Sequence, residues 1–312
     1  MGLGREDKGV RSGTGVGEGF LVQGKSKAGA LTEISLILAA LFWGSNYAAT
    51  KFAATSLPPL CVVALRFVVG GLLMYGVLRV LEPGSKLRRG DLLPMAALGC
   101  LGIAVGQTAF TFGISLTTAA NTGLIFATAP VWALMLGLVL GLERPTLRGT
   151  AGVGLCILGV GIVFHEGLGI EGASVVGDIF VLVAAVGFGA YTVLSMRLLE
   201  RYSPLAVATY PTLFGAPVVL ALSLPMFAGM SYNGVGAWAA VAFSAVFATA
   251  FAFSAWQTGV SRIGANRVLV YQYLITITGI GSGVVFFDES LSVSKIAGGC
   301  VILFGVYLAR RQ

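Results

Sequence analysis

Charged residues are scarce in this sequence: Asp, Glu, Lys and Arg together make up 11% of its 312 residues, whereas 56% are hydrophobic. So much apolar surface exceeds what a single soluble core can bury, which excludes an ordinary globular domain. Glycine is abundant instead, with 45 residues, and transmembrane helices tolerate and use glycine. The composition predicts an all-α polytopic membrane protein.

Groups that bind metals, form disulfides or carry out catalysis are also few. His165 is the single histidine, and the four cysteines lie inside apolar runs without the spacing of metal ligands. Phosphate-loop, zinc-protease and serine-hydrolase motifs are absent. We therefore predict no catalytic residues, no metal and no cofactor. The net charge of +7 comes from basic clusters between apolar runs, so we predict no nucleic-acid partner.

Ten apolar runs follow a Gly-rich basic segment, residues 1–30, which we predict to be a disordered tail. Each run is near the ~20 residues that a helix needs to cross the hydrocarbon core of a bilayer. The runs lie near residues 33–51, 58–79, 92–113, 119–142, 147–164, 178–197, 204–225, 235–259, 264–286 and 292–309. The sequence thus predicts ten transmembrane helices embedded in a lipid bilayer.

The basic residues predict the orientation of these helices. Of the 20 Lys and Arg residues, seventeen lie in the tail or at run ends on one side, and Arg66 lies inside a run. The other side receives only Lys51 and Lys295. By the positive-inside rule, both termini are predicted to be cytoplasmic, in a multi-pass protein of the plasma (inner) membrane.

The ten runs form an internal repeat. Features of the first five recur 146 positions later, as in Glu143 and Glu289. Because five helices per unit is an odd number, the second unit enters the membrane from the opposite side, as in many secondary transporters. We assign residues 31–165 and 174–310 to two inverted five-helix repeats.

Polar and aromatic residues form a matched stripe on the first helix of each repeat. Their spacing of i, i+3, i+4 and i+7 puts four residues on one face of each helix. They are Trp43, Asn46, Tyr47, Thr50, Phe188, Tyr191, Thr192 and Ser195. Since polar side chains within a bilayer face protein or a water-filled cavity, we predict that both stripes line one substrate cavity near the midplane. The alternative is that Ser and Thr bond their own helix backbone and that Trp43 and Tyr47 belong to an interfacial aromatic belt.

Further substrate-binding candidates lie on the third, eighth and ninth helices. They are Gln107, Thr111, Trp256, Gln257, Tyr271, Gln272 and Thr276. Each could equally hold two helices together by an interhelical hydrogen bond, which is typically worth under ~2 kcal/mol.

Arg66 lies eight residues past Pro58, about 12 Å into the membrane at 1.5 Å per residue. A charge at the centre of a membrane helix costs at least about 2.5 kcal/mol, so Arg66 needs a partner or a function. Backbone carbonyls, lipid headgroups and an anionic substrate group such as a carboxylate are the candidate partners. A structural role and direct substrate contact both remain open.

Two glutamates, Glu143 and Glu289, end the fourth and ninth helices and precede the helices that follow. A carboxylate there can cap the free N–H groups of the following helix and favour its dipole. We predict capping rather than proton transport. All thirteen acidic residues are expected in the tail, in loops or at helix ends, so no midplane carboxylate is predicted to couple protons to transport.

Several of these stretches resemble the EamA-type drug/metabolite transporter superfamily. The resemblance rests on FWGSNYAATK at residues 42–51, Pro59, Ala64-Leu65-Arg66-Phe67, Ala129-Pro130-Val131, Glu143 and Glu289. It implies ten helices in two repeats around a central cavity, and export of small metabolites, often amino acids. Two positions depart from the pattern: Thr276 stands where a second proline is usual, and Pro211 stands opposite Arg66. The resemblance therefore gives no ground to assume a proline-kinked ninth helix, and the arginine occurs in the first repeat only.

We interpret the chain as a secondary transporter that moves a small metabolite, an amino acid or a related compound, outward by alternating access. A multidrug efflux transporter is the alternative, and an intramembrane enzyme is a third class. The discrete hydrogen-bonding groups of Asn46, Gln107 and Gln257 favour a specific substrate over promiscuous apolar binding. The substrate and the bilayer are the predicted partners, and the chain is expected to be a monomer or a homodimer.

Overall fold

The computed structural model describes residues 15–141, 146–167, 172–228 and 234–310. Within these ranges the regular structure is helical, and no strand occurs. We number ten helices in chain order. They are α1 Gly15–Ala54, α2 Pro59–Leu81, α3 Arg89–Leu116, α4 Ala119–Val139, α5 Leu147–Gly167, α6 Gly172–Leu199, α7 Pro204–Phe227, α8 Val235–Ile263, α9 Leu269–Phe287 and α10 Val293–Arg310.

The all-helical, multi-pass character predicted from composition is confirmed. Seven of the described helices, namely α2, α3, α4, α6, α7, α8 and α9, are long and apolar enough to cross a membrane. Shorter apolar stretches, Leu147–Val163 and Val293–Ala309, lie in α5 and α10. Each predicted run corresponds to one of the ten helices, but ten membrane crossings remain a prediction.

The first helix is longer than expected. It runs unbroken for 40 residues from Gly15, so residues 15–30 are helical where a disordered tail was predicted. Extending an existing helix costs much less than starting one, because each added residue gains a hydrogen bond. Residues 1–14 of the predicted tail lie outside the described part of the chain.

Proline and hydroxyl residues set where several helices begin. Pro59 and Pro204 occupy the first positions of α2 and α7, where a missing N–H costs nothing and the proline φ suits a helix. Ser203 caps α7 by accepting a hydrogen bond from the Ala206 N–H at 3.1 Å. Thr118 caps α4 in the same way, from the Asn121 N–H at 3.0 Å.

Two helices contain a π-helical stretch at corresponding places in the repeats. These stretches are Cys100–Gln107 in α3 and Ser244–Phe251 in α8. A π-helix is rare and often occurs at functional sites, since it changes where backbone carbonyls and side chains point. Both stretches lie midway along their helices, at the level of the predicted cavity.

The fourth and ninth helices differ around the position of Pro130. In α4, a turn separates Ala119–Phe126 from Ala129–Val139, and Pro130 lies at the start of the second part. In α9, the stretch Gln272–Phe287 is one continuous α-helix that passes through Thr276. The start of the ninth segment is itself irregular, since a short helix Ala265–Val268 and a 3₁₀ turn Leu269–Tyr271 precede Gln272. α7 is one helix although Pro211, Pro217 and Pro225 lie inside it, so proline alone does not decide where a helix breaks.

Glycines let helices from the two repeats pack closely. A Cβ added at Gly159 of α5 would lie 2.9 Å from the Gly298 carbonyl oxygen of α10, and one at Gly152 would lie 2.5 Å from the Gly305 carbonyl oxygen. Side chains larger than hydrogen would force these backbones apart. These four glycines thus hold α5 and α10 together within one chain.

Hydrogen bonds show which helix ends share a face of the molecule. Lys51 near the end of α1 contacts Glu289 beyond α9, and Thr117 after α3 contacts Asp178 in the second turn of α6. Because Lys51 also contacts the Thr117 carbonyl, α1 ends on the face where α6 begins. The first helices of the two repeats therefore run in opposite directions, as inverted repeats require. We call this face the predicted outer face.

Candidate functional site

A small cavity lies between the two halves of the molecule, with a volume of about 30 Å³. It is lined by Trp43, Asn46, Tyr47, Arg66, Gln107, Phe110, Phe126, Phe188 and Ile275. These residues come from α1, α2, α3 and α4 of the first repeat and from α6 and α9 of the second. A cavity of this size holds no more than about two water molecules.

Six of the sixteen predicted substrate-binding residues line this cavity. They are Trp43, Asn46, Tyr47, Arg66, Gln107 and Phe188. Three further lining residues, Phe110, Phe126 and Ile275, were not predicted, because they are apolar residues inside apolar runs and carry no polar signal. Phe110 follows Gln107 by three residues, so helical spacing on α3 could have indicated it.

The other ten predicted residues do not line the cavity. They are Thr50, Thr111, Tyr191, Thr192, Ser195, Trp256, Gln257, Tyr271, Gln272 and Thr276. The Thr192 hydroxyl donates to the Phe188 carbonyl at 2.9 Å, and Ser195 donates to the Thr192 carbonyl at 2.9 Å. These two α6 residues therefore hydrogen-bond their own helix backbone, which was the alternative interpretation of the stripe.

The aromatic-belt alternative does not describe α1. Trp43 is 8% exposed and Tyr47 2% exposed. The Trp43 indole Nε1 donates to the Ala248 carbonyl at 2.7 Å, and its ring lies 5.1 Å from the Trp256 ring. Trp256 itself packs behind the cavity wall, with its ring 5.2 Å from that of Phe188. Both tryptophans are therefore core residues.

Arg66 is held by neutral groups of the π-helical stretch in α8. Its Nε donates to the Thr249 hydroxyl at 2.8 Å, and its Nη2 donates to the Ala248 carbonyl at a longer 3.4 Å. A backbone carbonyl was one of the predicted partners of Arg66, and the Ala248 carbonyl takes this role. The same carbonyl also accepts a hydrogen bond from Trp43. Arg66 is 2% exposed, and its Nη1 has no hydrogen-bond partner among the described residues.

Asn46 and Tyr47 differ in how fully their polar atoms are paired. The Asn46 amide oxygen accepts a hydrogen bond from the Ser244 hydroxyl at 2.5 Å, which ties α1 to the same π-helical stretch. The Tyr47 hydroxyl is buried and has no partner in the described part of the chain. A buried hydroxyl without a hydrogen bond is costly.

At the predicted outer face, Glu289 caps a helix of the other repeat. Its Oε1 accepts from the Lys51 ammonium at 2.6 Å and from the Ala119 N–H at 2.9 Å, and its Oε2 accepts from the Ala120 N–H at 3.0 Å. The predicted capping role is thus present, but the capped helix is α4. The expectation that Glu289 caps α10 is wrong, because Ser292 already does so.

The cap of α10 is local. The Ser292 hydroxyl accepts a hydrogen bond from the Lys295 N–H at 3.2 Å, which satisfies one of the free donors of the first turn. Glu289 is therefore free to reach the first repeat. Its predicted counterpart Glu143 lies outside the described residues.

The same end of α4 is held by a second carboxylate. Asp178, which the sequence placed at a helix end, is fully buried in the second turn of α6. Its Oδ1 accepts from the Thr117 hydroxyl at 2.6 Å, and the Asn121 amide donates to its Oδ2 at 3.1 Å. Two acidic residues of the second repeat thus bind the start of α4 at this face.

The opposite face is joined by another polar network. Asp91 at the start of α3 pairs with Arg201 at 2.5 Å and accepts from the Tyr202 hydroxyl at 2.6 Å. The Ser203 hydroxyl donates to Glu82 at 2.6 Å. Burial of Tyr202, together with its bond to Asp91, raises the pKa of this phenol. The described contacts therefore connect the repeats on both sides of the cavity.

Comparison with known proteins assigns the family. A model of the EamA-like transporter family matches residues 30–165 and 175–311, so the resemblance read from sequence is confirmed. An uncharacterized transporter of Archaeoglobus fulgidus is 25% identical across 89% of this chain and 98% of its own length. A protein of Streptantibioticus cattleyicolor named "Probable terminal-alkyne amino-acid exporter" is 27% identical across 89% of this chain and 93% of its own.

A solved crystal structure shares the fold. It aligns with a TM-score of 0.65 at 21% identity and covers 89% of this chain and 97% of the other. At this identity the likeness concerns the arrangement of helices alone.

Proposed function

Because the chain belongs to the EamA-like transporter family, we propose that it is a secondary transporter that moves a small metabolite, an amino acid or a related compound, out of the cell. Transport proceeds by alternating access to the central cavity. The termini are cytoplasmic, the helices cross the plasma membrane ten times, and the two inverted repeats rock against each other.

The observation that carries this proposal is the central cavity. It places Asn46, Arg66 and Gln107 deep between the repeats, where polar groups mark substrate pathways. Its 30 Å³ is about a tenth of the ~300 Å³ that the smaller ligand pockets have. A substrate therefore enters only when the repeats move apart, and the networks on the two faces are the contacts that such a movement breaks in turn.

The chemistry of the walls supports a specific metabolite. Three hydrogen-bonding side chains lie in one small space, and such groups fix the orientation of a ligand. The name of the relative from Streptantibioticus cattleyicolor supports an amino acid. No nucleophile paired with a base occurs among the nine described lining residues, so the cavity favours transport over catalysis.

A second candidate is efflux of varied apolar compounds. Five of the nine lining residues are aromatic, namely Trp43, Tyr47, Phe110, Phe126 and Phe188. Aromatic walls accept many apolar ligands, as broad-specificity binders do. A transporter of this kind would not depend on the polar side chains of the cavity.

The test is flux of radiolabelled amino acids from loaded proteoliposomes that contain the purified protein. We expect saturable flux of a few related compounds, with Gln107→Leu lowering it. Gln257→Leu is the matched control, since Gln257 is also buried but lies outside the cavity lining. Flux no faster than in protein-free liposomes for every amino acid would overturn the amino-acid proposal. Equal flux of many unrelated apolar dyes would instead establish the second candidate.

A further inference from the structure

We propose that Arg66 binds the carboxylate of the transported compound, so that the cavity selects a carboxylate attached to an apolar or aromatic group and rejects cations. This inference rests on the proposed transport function. It assigns the choice of substrate class to one residue.

The first support is the unbalanced charge of Arg66. Its guanidinium is buried, and among the described residues it hydrogen-bonds only to the neutral Thr249 hydroxyl and Ala248 carbonyl and lies 4.8 Å from the centroid of the neutral Phe67 ring. No acidic residue lines the cavity among those described. A buried charge without a counter-ion is unfavourable, and a substrate carboxylate supplies the missing counter-ion.

The second support is the geometry of the unused donors. Arginine presents five N–H donors in a planar fork that matches a carboxylate in two parallel hydrogen bonds. The Nε of Arg66 donates a short hydrogen bond of 2.8 Å to the Thr249 hydroxyl. The hydrogen bond from Nη2 to the Ala248 carbonyl is long, at 3.4 Å, and Nη1 has no partner among the described residues. The edge formed by Nη1 and Nη2 is therefore the part of Arg66 that remains available for a ligand.

Tyr47 provides another donor in the same cavity. Its hydroxyl is buried and has no partner among the described residues, and its ring lies 5.2 Å from the Phe110 ring. A phenol can donate to a carboxylate oxygen that has lone pairs left after binding arginine. Arg66 and Tyr47 together satisfy a carboxylate, and the carboxylate satisfies both of them.

The remaining walls fit an apolar group beside that carboxylate. The rings of Phe110 and Phe126 are 5.8 Å apart, those of Phe126 and Phe188 are 5.4 Å apart, and those of Phe188 and Trp43 are 5.5 Å apart. This continuous aromatic surface favours an aliphatic or aromatic side chain.

An amino group is tolerated but is not what the cavity recognises. No described lining residue carries a negative charge, so an ammonium group has only the Gln107 amide oxygen or an aromatic face to contact. Arg66 repels a ligand with net positive charge. Amino acids and their deaminated analogues therefore both fit, whereas amides and esters of amino acids, which are cations, do not.

The experiment compares matched pairs of compounds on the purified full-length protein. The pairs are leucine with leucinamide, phenylalanine with phenylalaninamide, and phenylacetate with phenylacetamide. Binding is measured by thermal stabilisation, since a ligand of the folded state raises the unfolding temperature, and by tryptophan fluorescence, since Trp43 lines the cavity. We expect at least one carboxylate to bind at least tenfold more tightly than its amide.

Variants then assign that preference to Arg66. Arg66→Gln should abolish it, and Arg66→Lys, which keeps the charge but loses the fork, should reduce it. Arg79→Gln, an exposed arginine of the same helix, should leave it unchanged. If Arg66→Gln does not fold, the proposal is tested with Arg66→Lys. A preference for the carboxylate over its amide as strong in Arg66→Lys as in the unchanged protein would overturn the proposal.

Two further outcomes separate this inference from the transport function. If an amino acid is transported but binds no more tightly than its amide, or keeps its preference in folded Arg66→Gln, the inference is wrong and the transport function stands. If no compound binds and no amino acid is transported, both are wrong.

Discussion

Replacing Glu289 by Gln should open the predicted outer face. The glutamate carboxylate accepts three hydrogen bonds, from Lys51 at 2.6 Å, the Ala119 N–H at 2.9 Å and the Ala120 N–H at 3.0 Å. Glutamine has the same shape but one oxygen fewer, and its NH₂ group would point at a donor. The variant thus leaves Lys51 without its counter-ion and α4 with one free N–H.

The size of the effect follows from these contacts. A hydrogen bond to a charged group contributes about 1.5–3 kcal/mol, and loss of a helix cap costs about 0.5–2 kcal/mol. The two side chains are 20% and 7% exposed, for Lys51 and Glu289, so solvent screens the pair only in part. We expect the closed outer face to lose about 2–4 kcal/mol, which is a shift of roughly thirtyfold to several-hundredfold toward open states.

Labelling of a buried cysteine measures this shift. Thr50 is fully buried next to Lys51, so Thr50→Cys, in a background without the four native cysteines, reports opening at this face. A membrane-impermeant maleimide added from outside should label Thr50→Cys slowly. With Glu289→Gln added, labelling should accelerate by at least tenfold.

The neighbouring carboxylate provides the control. Asp288 is exposed and has a left-handed backbone with φ of 50°, which asparagine also adopts readily. Asp288→Asn removes the same charge without breaking the cap and should leave labelling unchanged. Equal labelling rates in Glu289→Gln and the unchanged protein would refute the role given to this cap.

Three other outcomes are expected. Burial alone would raise the pKa of Glu289, but hydrogen bonds from Lys51 and the α4 N–H groups hold it below its usual 4.5. Because maleimide reacts with the thiolate, the labelling rate of Thr50→Cys is divided by that of a fully exposed cysteine at each pH; this ratio should be constant around neutral pH and rise only in acid below that value, because a depressed pKa stabilises the ionised, closed form. Reporter fusions after Gly234 should be external and those after Arg88 internal, and the reverse pattern would contradict the orientation. Gly159→Val should lower the melting temperature sharply because its Cβ would meet the α10 backbone, whereas Gly161→Val, with nothing within 4 Å, should not.

Regular spacing made the α1 part of the site predictable from sequence. Trp43, Asn46 and Tyr47 share a helix face, and all three line the cavity. Of the matching stripe on α6, Phe188 lines the cavity, whereas Tyr191, Thr192 and Ser195 do not. The Thr192 and Ser195 hydroxyls bond their own helix backbone. Helical spacing predicts which side chains point to the same side of a helix. Whether a hydroxyl on that side bonds a neighbouring helix or its own backbone carbonyl depends on how the helices pack, which the sequence of one helix does not reveal.

The contacts between the repeats could not be predicted. Glu289 is 170 positions from the Ala119 N–H that it binds, whereas a capping signal in the sequence points only to the helix directly after Glu289. The π-helical stretch of α8 lies in an apolar segment with no distinctive residue, yet its Ala248 carbonyl accepts from both Trp43 and Arg66. Proline was a signal at one helix only: α4 has a turn just before Pro130, whereas α7 continues through Pro211, Pro217 and Pro225.

The most direct measurement of the central claim is labelling of Asn46→Cys from each side of the membrane. Asn46 lines the cavity and is 2% exposed, so an impermeant reagent reaches it only when one face opens. Alternating access predicts labelling in both right-side-out and inside-out vesicles, protection by the transported compound in both, and no labelling of Gln257→Cys outside the cavity. Labelling from one side only, or labelling that a transported compound does not slow, would contradict the account.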